Sequence, residues 1–202
     1  MKTLKKLINI FFVIFFAFPF GMVYAGGNNI MHIAAPDTHS RGRYYVAERR
    51  TPKKVYVEER SEGTNRKTHG AFVERTHFGE YVIYDEPAFP DEFTHVIRAI
   101  DADNYLVGVH YPQGQITPIL RISRGSGKSL WNIKSCHILG RVCLPSPEVY
   151  IEETPYSEGR MIKSAVDSPD IKAGEVYNFV TPLGSFDEFT DIISFCAAFL
   201  FK

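Results

Sequence analysis

Tyr44-Tyr45-Val46-Ala47-Glu48-Arg49-Arg50-Thr51-Pro52-Lys53-Lys54-Val55-Tyr56 is the stretch on which the reading of the fold turns. Tyr44, Tyr45 and Val46 are strand-favouring residues in a row. Glu48, Arg49 and Arg50 then pack charge into three positions. Thr51-Pro52 punctuates the run as a turn, and Val55 and Tyr56 restart an apolar rhythm. Around it, residues 41–67 carry nine basic residues against four acidic ones. This charge reads as a solvated face diluted by Glu48, Glu58, Glu59 and Glu62, or as a surface meeting an anionic ligand such as a pyrophosphate.

Working outward towards the C-terminus, Ser61 to Asn65 is turn-rich. Gly70 to Val73 reads as a strand, and Tyr81 to Tyr84 is a short apolar run of ambiguous type. Pro87 and Pro90 break the pattern. His95 to Val107 then reads as a β-rich run into an Asp/Asn turn and out to Tyr105. Gly125-Ser126-Gly127-Lys128-Ser129 lacks the spacing of a phosphate loop and reads as a flexible basic loop. Trp131, Ile133, Ile138, Leu139 and Val142 mark core strands. Glu152 and Glu153 are adjacent in a strand, so they point to opposite faces and make a poor acid/base pair. From Ser185 onward, Phe186, Phe189, Ile192, Ile193, Cys196, Phe199 and Leu200 recur at helical spacing, which predicts an amphipathic C-terminal helix packing on a core.

Towards the N-terminus, residues 1–25 read as a secretory signal peptide. Lys2, Lys5 and Lys6 precede the apolar run from Leu7 to Phe20, and Val23-Tyr24-Ala25 offers a cleavage site. Residues 26–202 then form a single domain. The full chain balances 23 basic against 23 acidic residues, and losing the three lysines leaves acidic groups in excess. That balance gives no reason to expect nucleic acid or an anionic membrane as the main partner, and no stable membrane span is expected once the signal is removed. Export favours a disulfide among Cys136, Cys143 and Cys196, with the pairing open. No spacing suggests a metal site. His69, His77, His95, His110 and His137 are scattered.

The opening stretch resembles the first strand and turn of bacterial ADP-ribosylating toxin A subunits of the cholera, heat-labile enterotoxin and pertussis type. Tyr45, Glu48, Arg50, Pro52 and Val55 sit in the places of that family's pattern, and Val46 replaces its strand arginine. Gly70-Ala71-Phe72-Val73 resembles the next strand, with Glu74-Arg75-Thr76 in place of Ser-Thr-Ser. Arg98 to Tyr105 resembles the strand and turn before the catalytic region. The resemblance implies an α+β, ADP-ribosyltransferase-like fold with a mainly antiparallel β core, few helices and the C-terminal helix. It also implies NAD as substrate, a host protein as acceptor, and association with a B-subunit. Arg43, Glu48, Arg50 and Thr76 would line the NAD site. Gln113 and Gln115 stand where the family has its catalytic glutamates, and neutral amides cannot offset charge developing at the anomeric carbon.

Two functions are therefore expected as alternatives. One is a secreted ADP-ribosyltransferase-like toxin or effector subunit with a degenerate catalytic turn. The other is a secreted non-catalytic interaction protein, or pseudoenzyme, on a β-rich scaffold.

Overall fold

The computed structural model describes residues 30–35, 42–64, 66–87, 89, 92–110, 116–137, 142–155, 159–183 and 189–200. Thirteen strands are present among the described residues: β1 (Ile30–Ala34), β2 (Arg43–Thr51), β3 (Lys54–Ser61), β4 (Lys67–Arg75), β5 (Tyr81–Asp85), β6 (His95–Asp101), β7 (Asn104–His110), β8 (Ile116–Arg124), β9 (Ser129–His137), β10 (Val142–Cys143), β11 (Val149–Glu153), β12 (Arg160–Ser164) and β13 (Val176–Leu183). A single described helix, α1 (Phe189–Phe199), follows.

Every strand pairing is antiparallel, and the sheet closes on itself. β1 to β9 pair in sequence, β9 passes to β11, β12 and β13, and β13 returns to β1. The result is a twelve-stranded barrel, with the two-residue β10 attached to β9 beside it. This corrects the α+β, ADP-ribosyltransferase-like expectation. The local strand patterns in the stretches that carried the resemblance belong instead to successive staves of one closed wall.

Alternation along each strand divides the wall into two faces. Met31, Ile33, Ala47, Val55, Val57, Val73, Ile83, Ile97, Val107, Ile122, Ile133, Ile151, Ile162 and Val180 point inward and are buried in one cluster. Outward positions on β2, β3, β4, β11 and β12 carry ion pairs: Arg50–Glu48 at 2.9 Å, Arg60–Glu58 at 2.7 Å, Lys54–Glu74 at 3.4 Å and Lys163–Glu152 at 2.7 Å, while Val82, Tyr84 and Val96 form a small apolar cluster on the same face. A lipid-facing barrel wall carries an apolar band there instead. No described helix is long and apolar enough to cross a membrane.

The lumen is filled by α1. Phe189 meets Tyr81 of β5 edge-on, Phe195 meets Tyr105 of β7 and Trp131 of β9, and Phe199 lies near His95 of β6. Asp191 reaches Arg160 of β12 at 3.4 Å, and Ala197 and Ala198 are bonded by β13. Contacts to strands on every side place the helix inside the wall. The C-terminal helix expected from its spacing is thus present, but its surroundings are not those of a helix laid on a sheet. Phe189, Ile192, Ile193, Phe195, Cys196, Ala197 and Ala198 are all buried, and the buried Ser194 hydroxyl donates to the Thr190 carbonyl at 2.7 Å. Barrel diameter grows with strand number, and eight strands leave room for side chains or one small ligand. Twelve strands give a backbone diameter of roughly 24 Å from the strand spacing and tilt, enough for one helix about 10 Å wide.

Cys136 and Cys143 form a disulfide joining β9 to β10. Cys196 is free and buried on α1. The Gly125–Ser129 stretch is the tight connection between β8 and β9, with Gly127 at φ 67° and the Gly125 amide bonded to the Leu130 carbonyl.

Candidate functional site

The barrel has two ends. The upper end carries the β2–β3, β4–β5 and β6–β7 turns and the start of α1. The lower end carries the β3–β4 and β5–β6 connections and the end of α1. The residues that sequence reasoning assigned to NAD binding divide between them. Arg43, at the lower end of β2, pairs with Glu59 at 3.1 Å. Arg50, seven residues up the strand and so about 23 Å away, pairs with Glu48 on the outer wall. Its guanidinium lies 5.4 Å from the Tyr56 ring. Thr76 sits in the β4–β5 turn, where its hydroxyl accepts the Phe78 amide at 3.3 Å. Gln113 and Gln115 lie outside the described residues.

A different set does come together, at the lower rim. β2 to β6 are neighbours, and each ends there with an inward-facing polar residue. In order around the wall these are Arg43, Glu59, His69, Asp85 and His95. Positive, negative, titratable, negative and titratable groups therefore alternate along one arc. His69 Nε2 is 3.2 Å from Asp85 Oδ1. Burial holds the His95 imidazole below its ordinary range, opposed by the charge of Asp85. His95 Nδ1 lies 3.0 Å from the Thr94 hydroxyl, which in turn donates to the Ile83 carbonyl at 3.2 Å. The only proton on that hydroxyl is thus committed to the main chain, and His95 has nothing to abstract from it.

Outside the wall, next to this arc, Tyr56, Phe72 and Tyr84 stack as registered neighbours on β3, β4 and β5. Their ring centroids are 4.9 and 5.3 Å apart. Lys54 lies over Phe72 at 4.1 Å and Lys67 over Tyr56 at 5.0 Å. The Tyr56 hydroxyl donates to Glu86 at 2.6 Å, and Lys67 donates to the same carboxylate oxygen. Lys67 first, then Tyr56, hold the Glu86 carboxyl below its usual range. Burial, then the Tyr56–Glu86 bond, push the Tyr56 phenol up. The close approach depends on Gly70. A Cβ there would lie inside the contact distance of the Tyr56 hydroxyl and 2.9 Å from Glu86 Oε2.

Among the described residues, no group of three His, Cys, Asp or Glu side chains is placed to hold a metal ion. Neither the arc nor the ladder was found from sequence. The only signal was parity: once the register of β4, β5 and β6 is known, His69, Asp85 and His95 fall on the inner face.

No protein-family model matches the chain, and neither a curated protein nor a solved structure shows similarity to it.

Proposed function

We propose that this chain is an exported, non-catalytic interaction protein, working through the outside and the rims of a self-filled barrel. The observation that carries the reading is the occupied lumen. The interior of a barrel is the usual place for a small ligand in this architecture, and here α1 takes that volume. The expectation of NAD-dependent transfer to a host protein was drawn on a scaffold that the closed wall replaces. Arg43 and Arg50, assigned to one NAD site, are held in ion pairs at opposite ends of β2. A host partner or a companion subunit would be met by side chains already on the surface.

The test is to incubate the protein, purified from the exported fraction, with labelled NAD. No nicotinamide release and no NAD binding are expected, and Gln115→Glu should not create either. Sustained turnover by the wild type would overturn the reading. N-terminal sequencing of the same material should begin at Gly26, which tests export.

A further inference from the structure

Resting on the surface-acting reading above, we propose that the outer face of the β13–β1–β2 seam is the interface at which two copies of this chain meet. On these strands Met31, Ile33, Ala47 and Val180 point into the core. Their sequence neighbours therefore face outward. The registers lay those neighbours side by side in rows. Phe179, Ala34 and Tyr44 form one row, and Thr181, His32 and Val46 the next. None of the six is Asp, Glu, Lys or Arg, and His32 and Ala34 are exposed. Leu183, the next outward position on β13, is 51% exposed. Charge returns on both sides of this face. Tyr44 and Val46 adjoin Arg60 and Glu58 of β3, and beyond β13 Lys163 of β12 pairs with Glu152 of β11.

The sign of the charge differs between the two sides. Residues 43–67, the β2–β3 hairpin and its link to β4, hold eight basic residues against four acidic ones. Residues 148–175, which run from β11 through β12 to the foot of β13, hold seven acidic residues against three basic ones. One block thus carries four positive charges in excess and the other four negative ones. The uncharged face lies between them.

Such a face complements itself. β1 is its midline, with β2 and β13 on either hand and β3 and β12 beyond them. A two-fold axis along the barrel, passing over β1, sets β2 against the second copy's β13 and β3 against its β12. Each basic block then meets an acidic one, on both sides of the axis. Like ends also stay together. The β3–β4 and β12–β13 connections both lie at the lower end, so Arg66 of one copy falls on the same side and level as Asp167 and Asp170 of the other. An uncharged centre with a charged rim is the usual anatomy of a protein–protein contact.

The experiment is sedimentation velocity on the full mature protein over a range of concentrations. A reversible monomer–dimer equilibrium is expected. Raising the salt from about 0.05 to 0.5 M should weaken it roughly tenfold, because the rim charges are screened. Asp167→Asn with Asp170→Asn should weaken it too and reduce that salt dependence. His32 sits on the midline strand, so the axis brings it close to its own copy. His32→Glu and His32→Lys should each loosen the dimer about tenfold or more, since like charges then face each other. An equimolar mixture of the two variants should dimerise again, a recovery that misfolded protein would not show. A monomer at every concentration up to about 1 mM would overturn the proposal. So would a dimer indifferent to both His32 variants, or a mixture that stays monomeric; these outcomes leave the face to a different protein. The NAD assay tests the broader reading separately, whatever the oligomeric state.

Discussion

The Asn178 side-chain amide, on β13, donates a 2.9 Å hydrogen bond to the carbonyl of Ala197 in the last turn of α1. One residue away, the Tyr177 hydroxyl donates to the Ala198 carbonyl at 3.0 Å. The last four carbonyls of a helix have no partner within it, and burial makes each of them costly to leave so. The wall of the barrel satisfies two of them and so fixes how deeply the helix sits.

Asn178→Leu should leave the Ala197 carbonyl buried without its partner and cost about 1–3 kcal/mol. Tyr177→Phe should cost about 1 kcal/mol. Urea denaturation of each variant measures the loss. Two variants as stable as the wild type would show that the wall does not hold the helix end.

Gly70→Ala should cost about 1–3 kcal/mol, the usual range for forcing an extra methyl into a packed site. The new Cβ collides with the Tyr56 hydroxyl and crowds Glu86. Adding Tyr56→Phe to Gly70→Ala should recover part of the loss, because the nearest obstructing atom is gone. Thermal melts of the single and double variants give the answer.

Stability should decline as the pH drops below about 6.5, the ordinary histidine value. The His95 imidazole is depressed by burial. The folded state therefore prefers it neutral, and its contribution is complete above the unfolded value. It is lost as pH falls towards the depressed folded value. His95→Gln should flatten that part of a stability–pH curve, and an unchanged curve would assign the slope to other groups.

Thiol titration should find no reactive cysteine in the native protein and one after unfolding without reductant. Cys136 and Cys143 are bonded, and burial pushes the Cys196 thiol far up. Replacing Cys136 and Cys143 together by serine should cost about 2 kcal/mol, since a short loop constrains the unfolded chain little.

Much of the wall was legible locally. Tyr44 to Tyr56 reads as a strand, a turn and a renewed apolar run, and it is the β2–β3 hairpin. His95 to Val107 reads as strand and Asp/Asn turn, and Asp101 does cap that turn through Asn104 and the Asp103 amide. Closure was not legible, because it is set by β1 pairing with β13 and β9 with β11, and a period of two says nothing about which strands are partners. The helix was visible from its spacing, yet its place was not. In the lumen the buried Ser194 is satisfied within the helix itself. The His69–Asp85 pair was hidden for the same reason as the barrel, since it exists only across a register.

The seam between β1 and β13 pairs Ile30 with Leu183, nearly the full described length apart. It imposes an order of assembly. The first strand can find its second neighbour only once β13 is present, and closing that seam completes the wall around α1. Pairings this distant fold slowly and leave strand edges unsatisfied while they wait. A chain delivered through a membrane from its N-terminus would hold open staves on the far side until the segment around Val176 to Phe199 had arrived.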